Sequence, residues 1–218
     1  IDKESIATNV LLNFVKPAYS VLPPGFPGHN AALPGLRFDA QKAKQLLSES
    51  KYSDSTRRPR ITLTIPGAGG GIGPDLEIIL QMWRDILGVT VEIQQVEFAT
   101  FLQEVQQKKY QFFALGWSAD YPDPFNFLDI LFYGKSTNNH TNYANPELDR
   151  ILLQARTEQD QQRRIQLYQQ AEALIVQDAP WLPLWYTGER VALVKPYVKN
   201  YFIPPLVMER YLDVVIER

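Results

Sequence analysis

Cysteine is absent from the 218 residues of this chain. That absence removes disulfides, thiolate metal sites and thiol nucleophiles together, and it leaves the redox compartment open, because many exported proteins also do without the residue. An excess of either charge is missing as well. Lys and Arg number 22 against 24 Asp and Glu, intermixed along the sequence, for a net charge of -2. This provides no basic stripe for nucleic acid and no polybasic patch for anionic lipid. No segment approaches the run of about 18 uncharged apolar residues that a membrane span needs. The sequence opens Ile1-Asp2-Lys3 without an initiator Met, a basic-then-apolar leader or a small-residue cleavage site, so it reads as an excised piece with any signal peptide outside it. Only two histidines occur, His29 and His140, neither with a second His or Cys at zinc-site spacing. Both are expected to be ordinary loop or surface residues, the alternative being His140 meeting Asp120 or Asp123 in space. No Gly-x-Ser-x-Gly elbow supports a serine nucleophile.

What the chain does contain is 45% hydrophobic and 21% charged residues, the proportions of a folded protein, and one domain is expected. Ile6, Ala7, Val10, Leu11 and Phe14 follow helical spacing after Asp2, with Pro17 as the stop. Residues 15–37 are rich in Pro and Gly and predict a long ordered loop. Asp39 then caps a helix with Ala40, Ala43, Leu46 and Leu47 as its buried stripe. Ile61, Leu63 and Ile65 alternate with polar residues in a strand; a helix carrying Leu76, Ile79, Leu80, Trp83 and Leu87 follows and stops at Gly88; Val89, Val91 and Ile93 alternate again. Strand, helix, strand predicts parallel pairing through a right-handed crossover. A helix with Phe98, Phe101, Leu102 and Val105 inward leads to the apolar run 112–117, expected to be a strand covered on both faces. Beyond it, Pro146 opens a helix with Leu148, Ile151, Leu152 and Ala155 in register, and a longer one carries Ile165, Tyr168, Ala171, Leu174 and Ile175. Residues 181–187 and 191–194 are β-prone.

The run 66–73, Pro-Gly-Ala-Gly-Gly-Gly-Ile-Gly, sits where a phosphate loop would sit, between strand and helix. It lacks the Gly-Lys-Ser/Thr ending, and no register yields Gly-x-Gly-x-x-Gly, so a tight or mobile surface turn is predicted. The stretch 116–127, Gly-Trp-Ser-Ala-Asp-Tyr-Pro-Asp-Pro-Phe-Asn-Phe, breaks from apolar into acidic, aromatic and Pro-stiffened residues. Loops delivered by a buried strand are where binding groups sit. Asp123, between two prolines, is expected to hold a turn by accepting backbone N–H bonds. Asp120, flanked by Trp117 and Tyr121, suits a carboxylate at the rim of an aromatic cleft, pairing with a ligand cation. That is recognition chemistry. A hydrolase using Asp120 with Asp123 is the competing enzymatic reading, and stacking of sugar rings on Trp117, Tyr121, Trp181 and Trp185 is a third.

The segment 116–128 resembles the signature region of the oligopeptide and dipeptide class (family 5) of bacterial extracellular solute-binding proteins, which serve ABC importers. Residues 1–6, 21–25, 87–92, 142–149 and 179–184 resemble further elements of that family in the same order. The resemblance implies an α/β fold of the periplasmic-binding-protein-like type II class, a mixed, mostly parallel sheet flanked by helices. It implies that residues 1–218 form a single lobe, the C-terminal ligand-binding lobe of a two-lobe protein. It also implies a non-enzymatic function with no cofactor: capture of peptides outside the cytoplasmic membrane or in the periplasm, and delivery to a membrane permease by a monomer. Sugars and other small solutes are the alternative ligands. By position, the resemblance gives Asp120 the ligand's α-ammonium and makes Trp117 a side-pocket aromatic; Tyr121 joins them as a ligand-binding candidate from its place beside Asp120.

Overall fold

Leu63 and Thr64 are neighbours on one strand, so their side chains point to opposite faces of the sheet, and both are buried. That strand, β2 (Ile61–Pro66), is the centre of a three-stranded parallel sheet of order β3-β2-β4, with β3 at Val91–Val96 and β4 at Phe112–Phe113. The computed structural model describes residues 1–188, 192–203 and 211–217. Helix α3 (Pro74–Leu87) joins β2 to β3, and α4 (Phe98–Gln106) joins β3 to β4. The two residues of β4 show how the helices are placed. Phe112 meets Trp83 of α3 at 6.0 Å between ring centroids, whereas Phe113 meets Phe101 of α4 at 6.5 Å. Adjacent strand residues face opposite ways, so α3 and α4 cover opposite faces of the sheet.

The strand–helix–strand prediction holds in its parallel pairing, with Ile61 through Pro66 in register with Val91 through Val96. Gly88 ends α3 as predicted, in the left-handed conformation at φ 61°, which a glycine adopts without the Cβ penalty. The strand expected over 112–117 is shorter. Thr64 pairs with Phe113, and the N–H of Ala114 still donates to the Thr64 carbonyl at 3.2 Å. The next rung would need an N–H from Pro66, which has none, so residues 114–116 leave the ladder and are exposed.

The larger core is helical. Helices α5 (Phe125–Phe132), α6 (Pro146–Thr157) and α7 (Gln161–Asp178) bury Leu128, Phe132, Leu148, Leu152, Tyr168 and Ile175 in one cluster with Val21 and Leu22 of the Pro-rich segment. All four predicted stripe residues of α6 are buried, as are Tyr168, Ala171 and Ile175 of α7. The Pro-rich segment is ordered against these helices, with Phe26 edge-on to Phe127 at 5.2 Å.

Two predictions near the N-terminus need correction. Helix α1 spans Lys3–Asn9 and stops well before Pro17, because Leu12 and Asn13 turn to positive φ and leave Leu12 and Phe14 exposed. Pro17 lies instead in β1 (Val15–Pro17), antiparallel to β5 (Trp185–Thr187), a two-stranded sheet whose outer edges tolerate a residue without an N–H. Helix α2 (Ala40–Glu49) is capped by Asp39 as expected, but it buries none of its predicted stripe, and Leu46 is exposed. Strands β6 (Val198–Lys199) and β7 (Val215–Ile216) form a second antiparallel pair. In the β-prone run 191–194, Val191 lies outside the described residues and the rest is irregular. The fold is α/β, with helices flanking one parallel and two antiparallel sheets.

Candidate functional site

In the order β3-β2-β4 the chain leaves β2 toward one neighbour and later returns to the other side, so the loops after β2 and β4 diverge. Such a switch point opens a crevice at the carboxyl ends of the strands, where ligands of open α/β sheets bind. The glycine-rich turn 67–73 and the segment from Ala114 to Asp120 are the loops that leave those strand ends.

The glycine-rich turn is shaped by its neighbour β3. Gln95 accepts from Gly69 N–H at 3.0 Å and donates to the Gly70 carbonyl at 3.1 Å. A Cβ on Gly67 would lie 2.4 Å from Gln95 Oε1, so the absence of a side chain there is what lets Gln95 reach the turn. A side-chain amide occupies the N–H that a phosphate would otherwise claim.

After β4, Trp117 is half-buried against the helical core, while Asp120 is exposed and Tyr121 is 40% exposed. The structure connects two of these three residues through Asn126, which sequence reasoning did not single out. The Trp117 indole N–H donates to Asn126 Oδ1 at 2.9 Å, and Asn126 Nδ2 donates to Asp120 Oδ2 at 3.4 Å. Asn126 is fully buried in the first turn of α5.

Asp123 holds the turn, as its position predicts. Its Oδ1 accepts from Phe125 N–H at 2.9 Å, doing at the start of α5 what the N-cap Pro124 has no side-chain acceptor to do. Arg164 of α7 then grips both carboxylate oxygens of Asp123, and this pairing, outweighing partial burial, holds the carboxyl below the usual aspartate range. A carboxylate committed on both oxygens to a guanidinium cannot join Asp120 as a catalytic pair. One helix turn further along α5, Asp129 is buried and makes a second bidentate pair with Arg156 of α6, at 2.8 and 2.9 Å. Arg156 also lies 4.3 Å above the Tyr133 ring. Two arginines from the supporting helices thus fix the start and middle of α5, and with it Asn126.

Glu172, buried on α7, anchors the Pro-rich segment by accepting the N–H groups of Val21 and Leu22 at 2.9 and 2.7 Å through one oxygen. Burial dominates its titration and pushes the carboxyl up. Its spacing, four residues after Tyr168 and three before Ile175, was the available signal, since it falls on the apolar stripe. His29 is spent locally, its Nδ1 bonded to the Leu22 carbonyl at 2.8 Å. His140 lies in the loop after α5, where burial and Lys108 push its pKa down. Among the described residues no cluster of three or more His, Asp or Glu is arranged to hold a metal ion. Trp181 is taken up against the helical core, its ring 4.6 Å from Phe132.

Residues 1–139 match the family described as bacterial extracellular solute-binding proteins, family 5 Middle. The chain is 34% identical over 217 residues to the dipeptide-binding protein DppE of Bacillus subtilis, a match covering 94% of this chain and 39% of that one. It superposes on the solved structure of OppA from Burkholderia pseudomallei with a TM-score of 0.82 and 27% identity, over 100% of this chain and 44% of that one. On the periplasmic binding protein DppA from Helicobacter pylori, solved in complex with the peptide STSA, the TM-score is 0.84 over 100% of this chain and 42% of that one; at 24% identity this likeness shows the fold. The chain spans about two fifths of the length of the curated relatives it matches.

Proposed function

The chain belongs to the bacterial extracellular solute-binding proteins of family 5, and on that premise we propose that it is the C-terminal ligand-binding lobe of a two-lobe protein that captures peptides for import. In this reading residues 1–218 form a single lobe, and the full protein is an exported monomer that works in the periplasm or on the outer side of the cytoplasmic membrane. It delivers its ligand to the permease of an ABC transporter and performs no chemistry on it. Asp120 takes the ligand's α-ammonium, while Trp117 and Tyr121 provide an apolar, cation-attracting wall.

The observation that carries this reading is the contrast between the two aspartates of one loop. Asp123 is consumed by Arg164, whereas Asp120, on the segment that leaves β4, is exposed and among the described residues has one hydrogen bond, from Asn126 at 3.4 Å. A carboxylate held in place and left open to solvent on an aromatic rim is suited to a ligand cation. The exposed segment 114–116, which follows the last rung of the parallel ladder and leads into Trp117, can contribute backbone groups to a peptide.

The test is a thermal-shift and calorimetric screen of the full-length protein against short peptides and oligosaccharides. Peptides are expected to raise the melting temperature, Asp120→Asn to abolish most of the shift, and sugars to have no effect. A shift with sugars alone would overturn the ammonium role of Asp120. The isolated lobe is expected to bind weakly at best, because half of the contact surface and the exclusion of water by closure are missing.

A further inference from the structure

Asn126 is the feature of this loop that the capture function leaves unexplained: an amide buried to 0% exposure, bonded on one side to the indole of Trp117 and on the other to Asp120. The orientation of most side-chain amides is ambiguous, since O and N look alike, but here chemistry decides it. An indole nitrogen can only donate, so the group facing Trp117 must be Oδ1. Nδ2 is thereby turned to Asp120, whose carboxylate can only accept. Reversing the amide would set N–H against N–H and oxygen against oxygen.

We propose that Asn126 is a positioning residue that aims the Asp120 carboxylate at the ligand, with Trp117 locking the amide in the productive orientation. Asp120 Oδ2 is held from behind by Asn126, which leaves Oδ1 as the oxygen offered to the ligand's ammonium. Asn126 can do this because it does not move: it sits in the first turn of α5, whose start is fixed by Arg164 through Asp123 and whose middle is fixed by Arg156 through Asp129. The exposed Asp120 would otherwise lose rotamer freedom on binding, a cost that a preorganised carboxylate avoids. The inference rests on the reading of Asp120 as the ammonium partner and adds to it a residue that touches no ligand.

The experiment uses the full-length protein and two probes, tri-alanine and N-acetyl-tri-alanine, which differ in the charged amine. Wild type is expected to prefer the free amine. Asn126→Leu, which keeps the branched outline of the side chain but neither donates to Asp120 nor accepts from Trp117, is expected to weaken tri-alanine binding about 3- to 10-fold and to leave the weaker N-acetyl-tri-alanine affinity unchanged. Parallel loss of both probes would mark general damage to the lobe and overturn the proposal, as would an unchanged preference for the free amine. If wild type itself shows no preference, the ammonium role of Asp120 fails, and the proposal with it. If Asn126→Leu does not fold, NMR of wild type decides. The Asn126 side-chain amide resonances are expected to shift on addition of tri-alanine and not of the acetylated peptide, and equal response to both overturns the proposal.

Discussion

Arg164 and Asp123, 41 residues apart in the chain, meet in a two-pronged ion pair with both nitrogen–oxygen distances at 2.8 Å. Arg164 also donates to the carbonyl of Ala155 and the hydroxyl of Tyr168, so one guanidinium joins α6, α7 and the loop before α5. The loop before α5 lies largely at the surface and is tied to the helical core at Asp123 by this pair.

Replacing Arg164 by Ala should therefore destabilise the protein by about 2 kcal/mol, the usual scale for lost hydrogen bonds to a charged group. The pH dependence follows from the lowered carboxyl of Asp123. A depressed carboxylate contributes stability that is present above its unfolded value, here 3.8, and is lost as pH falls through the lower folded value. Urea midpoints of wild type and Arg164→Ala should differ at pH 7 and converge toward pH 2. A gap of equal size at both ends would show that the pair is not its source.

Glu172 is predicted to behave in the opposite sense. Its carboxyl is raised by burial, so its contribution is fully present below the ordinary value of 4.5 and is lost as pH rises through the folded value. Glu172→Gln keeps an oxygen for the N–H groups of Val21 and Leu22 and removes the buried charge. It should raise the melting temperature at pH 8 and have little effect near pH 4. Glu172→Ala orphans both N–H groups and should cost about 2 kcal/mol or more.

At the glycine-rich turn, Gly67→Ala places a methyl group 2.4 Å from Gln95 Oε1, so the Gln95 side chain must leave its bonds to Gly69 and Gly70. We expect a loss of about 1 kcal/mol for Gly67→Ala in wild type and close to none in a Gln95→Ala background. A double-mutant cycle by denaturant melting measures the difference, and additive losses would show that displacement of Gln95 is not the source of the effect.

Lys3 is buried, donates to the carbonyls of Ala18 and Pro183, and lies 4.4 Å from the centre of the Tyr19 ring. Burial, reinforced by Arg37, pushes its pKa down to about 8 from 10.5. Between those values the unfolded chain holds a proton that the folded chain has released, so the contribution of Lys3 to stability should grow as pH rises through this window. The stability gap between wild type and Lys3→Met, measured in urea at pH 7.5 and 10, should widen in favour of wild type. A gap that narrows would mean that the ammonium form is the one the fold prefers.

The elements that sequence alone determined are those whose burial is decided one turn or one strand at a time. The 3.6-residue stripe of α6 put Leu148, Ile151, Leu152 and Ala155 in the core, and the alternation at Ile61, Leu63 and Ile65 with the stop at Gly88 set out the strand–helix–strand unit. The segment from Trp117 to Asp123 was visible too, because its abrupt change of composition is local. Tertiary structure decided the rest. Helix α2 has the amphipathic pattern but buries no residue, since periodicity states which face would be covered and not whether anything covers it. Strand β4 was shortened by a missing N–H on Pro66, a property of its neighbour and not of its own apolar run. Val15–Pro17 became a strand only because Trp185–Thr187 lies beside it. The difference between Asp123, paired, and Asp120, exposed, likewise waited on Arg164 from α7, and the bond from Asn126 to Asp120 on the placement of α5. Ion pairs and side-chain hydrogen bonds act over a few ångströms in space at any separation in sequence, so their partners exist only once the chain has folded.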